Sequence, residues 1–163
     1  MKPRHFLNQL EHDRIVSAIA DAEKKTSGQI RVLVSHRKVD DPVAAAGRQF
    51  QRLGLQRTPH RNAVLIFVAP RSHRFAVIGD QAVHEKCGDA FWMELTAAMS
   101  GHFKQGNFTE GLLHGIARAG ELLAAHFPHD PIQPIRPIRQ AQGRQAPGKP
   151  GDQDTSANTV IED

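Results

Sequence analysis

Arg61-Asn62-Ala63-Val64-Leu65-Ile66-Phe67-Val68-Ala69-Pro70-Arg71-Ser72-His73-Arg74-Phe75-Ala76-Val77-Ile78-Gly79-Asp80, residues 61–80, decides the fold. Two β-rich runs flank a short Pro-Arg-Ser connection, the pattern of an antiparallel hairpin. With the turn centred near Arg71, Asn62 falls close to Asp80 across the pair. The open end of the hairpin then gathers Arg61, Asn62, Gly79 and Asp80 just where the next helix begins. A rigid frame carrying four such residues is a candidate polar site.

Ala63–Ala69 is a continuous apolar run, as a central strand covered on both faces requires. Upstream, Gln29–Ser35 alternates Ile30, Val32 and Val34 with more polar neighbours and reads as a first strand. Asp41-Pro42 supplies a cap and a first-turn proline for a helix reaching about Leu53, with Val43, Ala46, Phe50 and Leu53 as its buried face. Strand, helix, strand over this interval is a parallel crossover, so the sheet is mixed. Before it, Asn8 and Glu11 form a capping-box pattern for a helix whose stripe is Leu10, Ile15, Ala18, Ile19 and Ala22.

After Asp80 the pattern predicts a helical turn over Gln81–Lys86, broken at Gly88. Asp89 then caps a helix over Ala90–Met99, with Phe91, Leu95 and Met99 inward. Gly101–Gly106 holds the next break, and Asn107 with Glu110 repeats the capping-box pattern before a last helix over Phe108–His126. Gly111, Gly115 and Ala119 fall on one face of that helix. A mid-helix glycine costs about 1 kcal/mol against alanine, so close approach to a neighbour offsets it. These elements make a small α/β sandwich over residues 1–127.

From Pro128 the composition changes. Pro128, Pro131, Pro134 and Pro137 recur every third residue, as do Ile132, Ile135 and Ile138, matching the three-residue turn of polyproline II. Beyond Gln140 the Gln/Gly/Pro/Asp/Ser mixture lacks core-forming residues, so 128–163 is expected to be a proline-rich and then disordered tail.

The 163 residues leave room for one core. No apolar run of about eighteen residues exists to span a bilayer, and Met-Lys-Pro-Arg-His leads into polar sequence rather than a secretory signal. A cytoplasmic protein is the expectation, with peripheral placement at the membrane as its variant. The formal charge of +4 is scattered. Without a dense basic stripe beside exposed aromatics, it argues against nucleic acid as a partner. Cys87, the single cysteine, cannot form an intrachain disulfide.

The order Arg61–Ala69, Phe75–Asp80, Gly88-Asp89 and the Phe108–Leu123 helix resembles the TPM domain family, named for a thylakoid-lumen protein, a photosystem-II repair protein and an acetylcholine-receptor modulator. The likeness covers about residues 6–127, and Val83–Trp92 is similar to the short bacterial members. It implies a three-layer α/β/α sandwich with a small mixed sheet. It also implies activities attributed to some members only: acid phosphatase activity and divalent-cation (calcium) binding. Members commonly carry a signal sequence and a membrane helix beyond the domain, and this sequence shows neither.

Each candidate residue carries two readings. Asp80 either caps a helix or joins Asp89 and the Asn62 amide as hard oxygen ligands for a weakly bound divalent cation such as calcium, whose six to eight oxygens would need completing by backbone and water. Asp89, which fits the family's aspartate at the start of the following helix, has the same capping alternative. Arg61 either binds phosphate or pairs with Asp80. His84 and Cys87 are the one short His/Cys pair, and they lack the partners that a zinc site or a nucleophile needs. There is no EF-hand loop, Cys-x5-Arg loop, DxDx-type pair, P-loop or GxGxxG turn. The leading expectation is a non-catalytic module that binds a protein partner, a membrane-associated one included, tuned by a weak cation and requiring no cofactor. The alternative is a metal-assisted acid phosphatase, with Asp80 and Asp89 on the ion and Asn62 or Arg61 orienting phosphate.

Overall fold

The computed structural model describes residues 2–128 and 160–162. Along these residues run α1 (Pro3–Asn8), α2 (His12–Glu23), β1 (Gln29–Val34), α3 (Pro42–Arg52), β2 (Ala63–Ala69), β3 (Arg74–Gly79), α4 (Gln81–Lys104), α5 (Phe108–His126) and β4 (Val160–Glu162). Short 3-10 turns lie at Leu55–Arg57 and Pro70–Ser72. The strands form one sheet in the order β3-β2-β1-β4. β1 is parallel to β2 and to β4, and β3 is antiparallel to β2, so the sheet is mixed.

All seven residues of β2 are buried. Because successive side chains leave a strand on opposite faces, they feed two cores. Val64, Ile66 and Val68 join Ile15, Ile19, Leu95, Met99, Leu112 and Ile116 under α2, α4 and α5. Ala63, Leu65, Phe67 and Ala69 pack on Ala45, Ala46 and Phe50 of α3 and on Leu55. At about 1.5–3 kcal/mol for each fully buried large apolar side chain, both faces contribute. The result is the three-layer α/β/α sandwich with a small mixed sheet.

Several local details differ from the sequence reading. The hairpin register is displaced by one residue: Val64 pairs with Gly79 and Ala69 with Arg74. The 3-10 turn at Pro70–Ser72 closes through His73, whose left-handed backbone (φ 54°) adds a residue to the connection. Ala63 therefore stands opposite Asp80 and accepts the Asp80 N–H at 2.9 Å. Asn8 caps nothing; it is the last residue of α1, which Pro3 opens. Glu11 precedes α2, where its carboxylate pairs with Arg14 at 3.0 Å. Asn107 makes no side-chain cap for α5, and Glu110 reaches Arg14 instead, at 2.9 Å. Asp41 does cap α3, accepting the Ala44 N–H at 3.1 Å, but Val43 is 61% exposed and the inward face is Ala45, Ala46 and Phe50. α4 runs on to Lys104, with its break at Gly88 (φ 76°), a conformation that favours glycine.

β4 is an addition to the sequence reading. Three residues isolated in Gln/Gly/Pro/Asp/Ser sequence give no periodic signal, yet Val160 and Ile161 each pack toward one of the two cores. Glu162 Oε1 lies 3.0 Å from His36 Nε2. Where β4 stops short, the Glu23 carboxylate accepts the Ile30 N–H of β1 at 2.8 Å. The proline–isoleucine repeat and residues 129–159 lie outside the described residues. Among the described residues no helix is long and apolar enough to cross a membrane.

The glycine face of α5 lies against α4. A Cβ at Gly111 would stand 2.5 Å from the Phe103 ring, and one at Gly115 would stand 2.7 Å from Met99 Sδ. Gly101, inside α4, has nothing within 4 Å of that position. Gly111→Ala should therefore destabilise the protein by about 1–3 kcal/mol through overpacking. Gly101→Ala should stabilise it by about 0.5–1 kcal/mol through helix propensity. Urea denaturation of the two variants beside the parent checks both signs.

Candidate functional site

The site is built where the approach to β2, the end of β3 and the first turn of α4 meet. The Thr58 carbonyl accepts the Arg61 N–H at 3.2 Å, and Thr58 Oγ1 accepts the Asn62 N–H, also at 3.2 Å. Arg61 itself adopts a left-handed backbone, φ 52°. That turn sends its guanidinium to Asp80: Nε donates to Oδ2 at 2.8 Å and Nη2 to Oδ1 at 3.0 Å. Asp80 Oδ1 also accepts the Gln81 N–H at 2.7 Å, so the same carboxylate caps α4. The Arg61 carbonyl in turn accepts the Ala82 N–H at 3.2 Å.

The pair is asymmetric in exposure, with the Asp80 side chain 6% exposed and that of Arg61 48%. Hydrogen bonds to the Asp80 carboxylate, reinforced by its charge, hold the Arg61 guanidinium above its ordinary value. A two-pronged contact of this kind is strong and geometrically specific. The two conservative readings of Asp80, helix cap and arginine partner, thus coexist on one carboxylate.

Asn62 is placed differently. It is 1% exposed, and its Nδ2 donates to Ser27 Oγ at 3.1 Å in the loop before β1. Its buried Oδ1 has no hydrogen-bond partner among the described residues. Asp89 lies beyond the kink at Gly88; its side chain is 85% exposed and stands 3.7 Å from His84 Nε2. Glu85 accepts from Gln81 Nε2 at 3.3 Å. The structure therefore brings Arg61 and Asp80 together, turns the Asn62 amide to Ser27, and sets Asp89 beside His84. Among the described residues, no three His, Cys, Asp or Glu side chains cluster so as to hold a metal ion.

Cys87 packs against the core beneath α4, and burial pushes its thiol up to about 11. Its thiolate is therefore scarce at neutral pH, and His84 is turned to Asp89. Sequence reasoning missed Thr58 and Ser27, the two hydroxyls that orient Asn62. Neither stands in a motif, and only the three-dimensional meeting of two loops assigns them a role.

Residues 1–122 match the family model of the TPM domain. The chain belongs to the TPM domain family. Among solved structures it is similar to the BA42 protein of the psychrophilic bacterium Bizionia argentinensis, determined by NMR, with 35% identity and a TM-score of 0.73 over 94% of this chain and 92% of that one. A second NMR structure, the N-terminal domain of a P. gingivalis protein, shares the fold at 16% identity and a TM-score of 0.57, over 70% of this chain and 75% of that one. No curated protein matches.

Asp80→Ala removes a helix cap and a buried charge-assisted contact together and should cost about 1–3 kcal/mol. Asp89→Ala, at an exposed position, should change stability by no more than about 0.5 kcal/mol. Thermal and urea unfolding of the two variants would show equal losses if Asp80 were not part of the frame. Because burial disfavours the Cys87 thiolate, alkylation by iodoacetamide should be slower than that of a free cysteine at neutral pH and should rise through about pH 11. Rapid labelling at neutral pH would contradict that environment.

Proposed function

We propose that this TPM domain is a non-catalytic module that binds a protein partner, a membrane-associated one included, and works in the cytoplasm or at its membrane face. A divalent cation, calcium the first candidate, tunes it weakly near Asp80, Asp89 and Asn62 and is not a required cofactor. The observation that carries this reading is the engagement of Asp80. Both of its oxygens serve Arg61 and one also serves the start of α4, so the best-placed carboxylate of the rim works for the frame. A cation approaching it must compete with a guanidinium already in contact.

The second reading is a metal-assisted acid phosphatase, supported by the matching family model, which bears the name TPM_phosphatase. In that reading Asp80 and Asp89 would hold the ion, Asp80 only after releasing Arg61, and the ion would supply Lewis-acid activation of the phosphate and of a water. The half-exposed Arg61 guanidinium or the Asn62 amide orients the phosphate oxygens.

Two measurements separate the readings. With calcium, magnesium or zinc, the purified chain should not turn over p-nitrophenyl phosphate, and amide shifts on titration should be small, reversible and confined to the neighbourhood of Gly79–Asp89. Robust metal-dependent turnover that disappears in a folded Asp80→Asn variant would establish the phosphatase instead. A partner isolated by affinity capture should bind the purified chain directly with a saturable isotherm; failure to saturate ends the binding reading.

A further inference from the structure

The other end of the hairpin carries a second feature. Its turn, the start of β3, the last turn of α4 and the connection into α5 enclose an open groove of about 550 Å³. That size suits a small organic ligand. Phe6, Phe75, Phe103 and Phe108, half of the chain's eight phenylalanines, line it. Their rings form a continuous chain of contacts: Phe6 to Phe108 at 4.8 Å, Phe103 to Phe108 at 6.0 Å, and Phe75 to Phe103 at 5.0 Å between centroids.

Two exposed cations, Arg74 and Lys104, stand on this aromatic surface. Among the described residues neither has a carboxylate partner and no Asp or Glu lines the groove. The contrast with Arg61, held by Asp80, is direct. Two helix ends also meet here, the carbonyl end of α4 and the amide end of α5. Their dipoles oppose one another, so Arg74 and Lys104 set the sign of the local field. Apolar walls beside unpaired charge focus that field on an incoming anion.

We propose that this groove binds a small anionic amphiphile of the fatty-acid class. Its carboxylate is held by Arg74 and Lys104, and its alkyl body lies across the partly buried rings of Phe75, Phe103 and Phe108, with the buried Phe6 beneath them. Arginine supplies the planar fork that matches a carboxylate, and the rings supply apolar area for the chain. The groove lies at the opposite end of the strands from Arg61 and Asp80, about 20 Å away at about 3.3 Å per residue. It is independent of the cation and of the partner proposed above.

The test titrates the isotopically labelled full chain with decanoate as free monomer, with decanol, and with acetate. Decanoate should move the amides of 68–75 and 100–108 saturably, decanol should bind about tenfold more weakly, and acetate should produce no saturable change. Arg74→Ala/Lys104→Ala, at two exposed positions, should leave the melting temperature unchanged and weaken decanoate about tenfold. The proposal is overturned if decanoate gives no saturable shifts, if the shifts fall outside the groove, or if parent and double variant bind equally. Binding to anionic phosphatidylglycerol vesicles without binding of monomeric decanoate would also overturn it, and would make the patch a membrane contact.

Discussion

The constraint on which this structure rests is the burial of β2 on both faces. A strand with no polar side chain from Ala63 to Ala69 cannot leave either face to water, so it needs a helical layer on each side. One layer is thin: α3 turns small residues, Ala45 and Ala46, toward the sheet, with Phe50 and Leu55 filling the remaining space. The other layer is thick, with α2, α4 and α5 stacked over Val64, Ile66 and Val68. Three helices fit there because α5 presents glycine toward α4 and, at Gly120, toward Ala22 of α2. The small-residue face of α5 is thus a consequence of the apolar strand it helps to cover.

The rim at the open end of the hairpin follows from the same strand. β2 must begin abruptly after an irregular loop, and the left-handed turn at Arg61 performs that change of direction. Once turned, Arg61 reaches Asp80, and the pair ties the start of β2 to the start of α4. A functional surface here is framed by groups that already have structural duties. Arg61 is the exception, since half of its side chain faces solvent while the carboxylate it holds does not. Of this pair, the group open to solvent is therefore the guanidinium, not the carboxylate. The groove at the turn end has the opposite character, with cations that meet no carboxylate among the described residues.

The elements that the sequence made legible are those with strong, local physical signals. The apolar run of β2, the Asp41-Pro42 start of α3, the break at Gly88 and the full span of α5 were readable from apolar patterning and breaker residues, with cap chemistry deciding only α3. What escaped depended on contacts distant in sequence. Asn8 and Asn107 had capping spacing, but Glu11 and Glu110 converge on Arg14 across the α2–α5 interface, a competition no local window contains. The hairpin register was off by one because His73 extends the turn through a backbone conformation unusual for a non-glycine residue. At the candidate site, the Arg61–Asp80 partnership was legible from the hairpin, whereas the direction of the Asn62 amide was set by Ser27, thirty-five positions away. The aromatic groove gave no sequence signal, since Phe6, Phe75, Phe103 and Phe108 come from four separate segments.

The short strand β4 has a consequence for solution behaviour. β1 is rich in β-branched residues, and its outer edge would otherwise present unpaired amides and carbonyls, a template on which strands of other molecules could add. Val160–Glu162 covers Val32–Val34, and the Glu23 carboxylate occupies the neighbouring N–H of Ile30. A backbone segment and a charged side chain together blunt that edge against intermolecular pairing. The chain thereby acts as its own gatekeeper, guarding that edge with three residues that contribute little to the mass of the core.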